Sequence, residues 1–210
     1  MKLYDADWAP SPRRVRVFLA EKGIEVPREK VDLRKAEQLS PEFLEFNPRG
    51  VVPALCLDNG DLITESSAIC RYFEALHPEP AMFGSDPLSI GRIESWTRRV
   101  ESEGYAAAVY VFRNSLPALE GRGEPGNWPT LPQIPELATR GTIMWRSFLD
   151  HLESRLDESQ WLAGDEYSFA DITALVTIDF ARAARLDVPD TLSAVCRWHK
   201  AASARPSATA

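Results

Sequence analysis

Asn47-Pro48-Arg49-Gly50-Val51-Val52-Pro53-Ala54-Leu55 and, one hairpin later, Thr64-Glu65-Ser66-Ser67-Ala68-Ile69 are the two runs on which the fold turns. A proline entering a strand cannot donate a ladder hydrogen bond, so Pro53 marks an edge, a strand start or a bulge. Taken alone, Val52-Pro53 reads as an ordinary trans proline opening a strand. A cis bond would instead turn the chain sharply and expose the N–H and C=O of Val52 to an extended peptide ligand. Between the two runs, Val52–Leu57 and Asp61–Thr64 flank Asn59-Gly60. That dipeptide signals a hairpin with a type I′ turn, whose two central positions need positive φ, so these strands are antiparallel.

Upstream, Lys2–Asp5 is a short strand followed by the loop Trp8-Ala9-Pro10-Ser11-Pro12. Ser11 is placed to cap a helix whose first residue is Pro12, because proline at that position loses no hydrogen bond. Val15, Phe18 and Leu19 follow at helical spacing and Gly23 supplies the stop. Val26 to Leu33 reads as a second strand, and Ser40-Pro41-Glu42-Phe43 opens a short helix ending before Asn47-Pro48. Glu65 to Leu76 carries Ile69, Phe73 and Leu76 on one stripe and is halted by His77-Pro78-Glu79-Pro80. The order over residues 1–80 is βαβαββα.

Beyond Pro87 every strong pattern is helical. Leu88 to Asn114 carries one long helix or a broken one, with Ile93, Trp96, Val100, Tyr105, Val109 and Phe112 toward a buried face. Leu116 to Pro135 holds five of the sixteen prolines with Gly121, Gly123 and Gly126. It reads as a loop long enough to be a functional lid or an irregular surface excursion. Helices resume at Ile143 to Leu156, from a Ser168-Phe169-Ala170-Asp171 capping box to about Arg185, and at Thr191 to Ala201. The chain is therefore expected to hold a small α/β domain over residues 1–80, a linker at 81–87 and an all-α domain over 88–210.

Length, charge and cysteine content narrow the class. The 210 residues carry 24 Lys and Arg against 31 Asp and Glu, a net charge of −7 that argues against nucleic acid or anionic lipid as partner. Cys56, Cys70 and Cys196 form no C-x-x-C pair and read as reduced thiols. No run approaches a membrane span, no signal peptide opens the chain, and the reading is cytoplasmic. His77, His151 and His199 show no ligand spacing, so no metal is expected.

Two places can carry chemistry. The first is Thr64-Glu65-Ser66-Ser67, where helix N-terminal amides and a hydroxyl suit a carboxylate and Glu65 offers a partner for an ammonium. Plain capping uses the same residue types. The second is Ser11, whose hydroxyl at a helix start can donate to a thiolate while Arg13 or Arg14 favours the anion; it can equally serve as a cap alone.

These residues, in this order, resemble the cytosolic glutathione transferases. Asn-Pro-x-Gly-x-Val-Pro and Glu-Ser-x-Ala-Ile are the most specific signatures, and Trp161-Leu162-Ala163-Gly164 followed by Tyr167-Ser168-Phe169-Ala170-Asp171 extends the likeness over the chain. The likeness is greatest to bacterial and fungal theta-like members with Ser or a related residue at the first helix start. The resemblance implies a thioredoxin-like first domain, a homodimer, and glutathione as cosubstrate activated for attack on a small apolar electrophile. It implies that Pro53 is cis, that Val52 pairs with the cysteinyl backbone, and that Glu65 and Ser66 hold the γ-glutamyl end. Gln38, with Lys35, would face the glycine carboxylate, and Ser11 matches the position of the catalytic hydroxyl, although some relatives with this kind of N-terminus activate the thiol through another residue or a water. Trp8, Arg14, Tyr105, Val109, Phe112 and Arg113 are candidates for the second-substrate wall. Val51, where many relatives carry a polar residue, keeps open a non-catalytic glutathione-binding module. A glutathione-dependent peroxidase or disulfide reductase is the further alternative.

Overall fold

The computed structural model describes residues 1–210. A four-stranded mixed sheet of order β2-β1-β3-β4 is built from β1 (Lys2–Asp5), β2 (Arg28–Lys30), β3 (Ala54–Cys56) and β4 (Leu62–Thr64). β1 and β2 run parallel, with Tyr4 opposite Glu29, and the other two pairings are antiparallel, with Leu3 opposite Leu55 and Leu55 opposite Ile63. Helices α1 (Pro10–Glu21), α2 (Pro41–Phe46) and α3 (Ser66–Leu76) complete the expected βαβαββα order.

Three local expectations need correction. Helix α1 begins at Pro10 with Ala9 as its N-cap, not at Pro12 with Ser11 capping. Two prolines in the first turn remove donors that a cap would have served, so the Ser11 hydroxyl has no capping work and is turned toward Tyr105 of the helical half instead. β2 is three residues long rather than eight, because as an edge strand it pairs only along the short β1 and Pro27 precedes it. The Asn59-Gly60 hairpin forms, but only Gly60 has positive φ (+90°), with the Gly60 N–H bonded to Leu57 O at 3.0 Å. Five residues, not two, separate the strands, and this relieves Asn59 of the left-handed conformation. The end of α1 does follow its sequence: Gly23 at φ +64° lets Ile24 N–H reach Leu19 O at 2.9 Å, closing the last turn.

Residues 77–86 carry no helix or strand, yet Met82 and Phe83 are buried, and the Phe83 ring lies 4.4 Å from that of Phe169. The helical half comprises α4 (Pro87–Arg99), a π-helical segment (Val100–Tyr105), α5 (Ala106–Ser115), α6 (Pro135–Asp157), α7 (Phe169–Ala181) and α8 (Ser193–Ser203). The long helix expected over 88–114 is thus continuous, with one wide turn in its middle. α6 starts eight residues before Ile143. Gly141, within its first two turns, packs α6 against α5: a Cβ there would lie 2.7 Å from Ala107 O. One core of 38 buried residues runs through both halves, from Leu3 and Phe18 to Leu175 and Trp198.

Inside it, Asp171 accepts from Leu162 N–H (2.9 Å), Ser168 N–H (3.1 Å), Ser168 Oγ (3.0 Å) and Trp198 Nε1 (2.9 Å). It therefore fixes the start of α7 and ties it to α8. Burial pushes its carboxyl up to about 6 against the pull of those donors. The C-terminal residues are latched to α1: Arg205 donates to Glu21 at 2.7 and 2.6 Å, and Arg13 Nη2 donates to Ala208 O at 3.0 Å.

Candidate active site

The site lies where the two halves meet. Asn47, buried at the end of α2, builds its first wall: its Nδ2 donates to Val51 O at 2.8 Å and its carbonyl accepts from Gly50 N–H at 2.9 Å. Gly50 is required at φ +59°, since a Cβ would come within 2.7 Å of Leu39 and 3.0 Å of Gln38 O. The Val52–Pro53 bond is cis. Neither the N–H nor the C=O of Val52 has a backbone or side-chain partner, so both remain available toward the cleft. Gln38 is 6% exposed, and its Oε1 has no hydrogen-bond partner. A buried acceptor left unpaired costs about 1–3 kcal/mol, which makes Gln38 a group that awaits a ligand donor.

The second wall is the start of α3. Glu65 has φ +70°. A non-glycine residue in that region costs of order 1–3 kcal/mol, a conformation held where function needs it. Its carboxylate is ion-paired with Arg49. Ser66 Oγ accepts from Arg14 Nε (3.0 Å) and Nη2 (2.6 Å), which occupies its lone pairs and leaves its own O–H to donate. Arg14 also donates through Nη1 to Glu101 Oε1 at 2.6 Å. This corrects the assignment of Arg14 to the second-substrate wall. It lies beneath Ser66, joining α1 to α3 and to the helical half, and it lines a neighbouring polar cavity instead.

Ser11 is the third element. Its Oγ lies 3.2 Å from the hydroxyl of Tyr105, carried by the π-helical segment of the other half. Both face a cleft of about 270 Å³, together with Trp8, Gln38, Val52, Pro53, Glu65 and Ser66. The N-terminal domain of glutathione S-transferases matches residues 8–76, and their C-terminal domain matches residues 146–206. Glutathione S-transferase 2 of Saccharomyces cerevisiae is 35% identical over 209 residues, which are 99% of this chain and 87% of the yeast protein.

The chain belongs to the glutathione S-transferase family.

The crystal structure of Gtt2 from Saccharomyces cerevisiae superimposes with a TM-score of 0.89 at 35% identity, covering 99% of this chain and 98% of that one. The disulfide-bond oxidoreductase YfcG of Escherichia coli is 28% identical over 98% of this chain and 92% of its own length. This transferase is accordingly an enzyme of a family that uses glutathione as substrate, and no helix is long and apolar enough to cross a membrane.

On the helical side, Tyr105, Val109 and Phe112 line the transferase cleft, backed by Phe180 at 5.9 Å from the Tyr105 ring and 5.2 Å from that of Phe112. Trp8, 51% exposed, closes the outer edge. One expectation is corrected here, and one residue is found committed elsewhere. Lys35 does not reach the cleft: the turn at Ala36 (φ +57°) leaves it exposed, 3.7 Å from Asp32. Arg113 lines the cleft, but Nη1 is committed to Arg122 O (2.9 Å) and Glu124 O (3.2 Å), and burial lowers its pKa from the usual guanidinium range.

Those bonds reveal what the proline-rich loop does in the transferase. Arg113 and Gln133, which donates to Arg113 O and Leu116 O, pin the loop to the end of α5. At its tip, Asn127 N–H donates to Arg49 O at 2.8 Å and Asn127 Nδ2 to Pro48 O at 3.2 Å. The loop is a strap across the mouth, and its Pro125 and Gly126 complete the cleft wall. Sequence reasoning marked its length but missed Asn127, which sits among residues that any loop contains. It also missed the hydroxyl of Tyr105, for which a signal existed: Val100 to Tyr105 is a five-residue step in a pattern of threes and fours.

Proposed function

We propose that this transferase binds glutathione along the unpaired backbone at Val52 and activates its thiol at Ser11 for attack on a small apolar electrophile. The observation that carries the reading is the convergence, in one cleft, of the unpaired Val52 backbone, the Glu65–Ser66 helix start, the buried Gln38 amide and the Ser11 hydroxyl. An extended tripeptide would pair its cysteinyl unit with Val52 as an added strand. Its γ-glutamyl carboxylate would take the Ser66 O–H and the first-turn amides of α3, with the ammonium at Glu65. Gln38 would meet the glycine end. The sulfur then lies near Ser11, where a hydroxyl donor and the positive end of α1 favour the thiolate. The thiol proton leaves to solvent, the sulfur lone pair forms the new bond to the electrophilic carbon, and the leaving group departs with its electron pair. The wall of Trp8, Tyr105, Val109 and Phe112 would hold an apolar electrophile beside it.

The test is titration of ultraviolet thiolate absorbance with glutathione added, for wild type and Ser11→Ala, alongside conjugation of a panel of electrophiles. The expected result is a thiolate titrating well below the free thiol, with loss of roughly a hundredfold in conjugation for Ser11→Ala, the scale of one preorganised donor. Failure of the wild type to bind glutathione by calorimetry overturns the reading. We further propose a cytoplasmic homodimer, supported by the family relationship; a light-scattering mass near the 23.5 kDa of one chain refutes the dimer.

A second reading is favoured by the similarity to the Escherichia coli disulfide-bond oxidoreductase. Cys56, Cys70 and Cys196 are free and none lines the cleft, and burial raises the Cys70 thiol far above its usual range. Glutathione itself would then supply both reducing thiols. Turnover of a small disulfide exceeding that of every electrophile would favour this reading.

A further inference from the structure

We infer that Tyr105 is a positioning residue for thiol activation: its phenol donates to Ser11 Oγ and turns the serine proton into the cleft toward the sulfur. The inference rests on the glutathione reading above and extends it to a residue of the helical half. Ser11 Oγ and the Tyr105 hydroxyl lie 3.2 Å apart, and neither has another protein partner. Two hydroxyls facing each other make one bond from one proton, which leaves the second O–H unassigned. Of the two, the phenol is far the stronger acid, so it is the donor and the serine proton is the spare one. A thiolate accepting that proton polarises the pair, and each bond in such a chain strengthens the next.

The fold aims Tyr105 with some care. It is the last residue of the π-helical segment, and the extra residue in that wide turn rotates everything after it by about 100° relative to an uninterrupted α-helix. Gly104 permits this, since the Phe148 ring packs where a side chain would stand: a Cβ would be 2.5 Å from Phe148 Cε1. The Tyr105 ring is then held against Phe180. The hydroxyl pair lies on the ridge that separates the cleft from the polar cavity containing Arg14, and it borders both.

The experiment is a pH profile of kcat/KM and of thiolate absorbance with bound glutathione, for wild type, Tyr105→Phe, Ser11→Ala and the double variant. Phenylalanine keeps the ring contact with Phe180, and circular dichroism checks that the fold is retained. Tyr105→Phe is expected to raise the midpoint of both profiles by about one pH unit, a tenfold loss of thiolate below the midpoint, with glutathione affinity held within about twofold. In the Ser11→Ala background the same change is expected to add nothing beyond about twofold, because Tyr105 acts through Ser11. An unshifted midpoint in Tyr105→Phe overturns the inference, as do effects that multiply fully in the double variant. Absence of any bound thiolate in the wild type would instead remove the glutathione reading, and the inference with it.

Discussion

Replacing Asp171 with alanine tests the central physical claim about the helical half, that a single buried carboxylate organises the start of α7. The side chain is fully buried and accepts four hydrogen bonds, from two backbone amides, a serine hydroxyl and the Trp198 indole. Alanine leaves those donors in a dry interior, at about 1–3 kcal/mol each. Part of this is offset at neutral pH, because the wild type must keep an ionised carboxylate in the core, at about 3 kcal/mol judged from a pKa raised from 3.8 to about 6. The net loss is expected to be about 3–6 kcal/mol, a large share of the roughly 5–15 kcal/mol that holds a domain folded. Asp171→Asn retains one acceptor for Leu162 and Trp198 but presents an NH₂ to the Ser168 amide, so its cost should fall between alanine and wild type. Urea unfolding followed by Trp fluorescence measures both, with Trp198 and Trp161 near the altered site as reporters. A loss below about 1 kcal/mol for alanine would mean that water or rearranged neighbours satisfy the donors, and the argument from burial would fail.

The same carboxyl predicts a pH dependence. Its folded pKa of about 6 lies above the unfolded value, so its contribution to stability is fully present below about pH 4 and is lost as pH rises through 6. Wild type minus Asp171→Asn, measured by urea unfolding from pH 4 to 7, should fall by about 3 kcal/mol; a flat difference refutes the assignment. Arg14→Met should strip Ser66 of its two donors and leave Glu101 unpaired, raising KM for glutathione roughly tenfold with less effect on kcat. An unchanged KM would show that Ser66 needs no support. Arg113→Ala removes two ties from the strap, and limited proteolysis should then cut within residues 116–134 faster than in wild type.

Much of the first half was legible because its punctuation is chemical. Ser40-Pro41 and Gly23 each mark a helix end in terms that few other residues satisfy, and the structure keeps both; Pro53 read alone points to a trans bond, and only the family resemblance implies the cis bond found. Asp171 was legible for the same reason, through its spacing from Ser168. What failed were features decided at a distance. The length of β2 is set by its partner strand, and the first turns of α6 are held by contact with α5, where Gly141 meets Ala107. In the candidate site, the residues held by their own segment, Val52, Glu65 and Ser66, line one cleft together. Lys35 and Arg14 go elsewhere because a long cationic side chain goes to whichever carbonyl or carboxylate the tertiary fold offers, and Arg113, though it lines the cleft, spends one nitrogen in the same way. No local pattern shows that choice.

The strap has a consequence for how such a chain can diverge. Its tip, a product of the helical half, is bonded to the main chain at Pro48 and Arg49, two residues before the Val51–Val52 edge. Shuffling is easy in principle for a chain whose sheet-bearing and helical parts each match a family model of their own. Here a recombinant joining this sheet to a foreign helical part would lose Asn127 from the cleft mouth, Glu101 from under Ser66 and Tyr105 from beside Ser11 at once. Heritable change in substrate preference must then arrive by point substitution along the cleft, with the two parts inherited as a matched set.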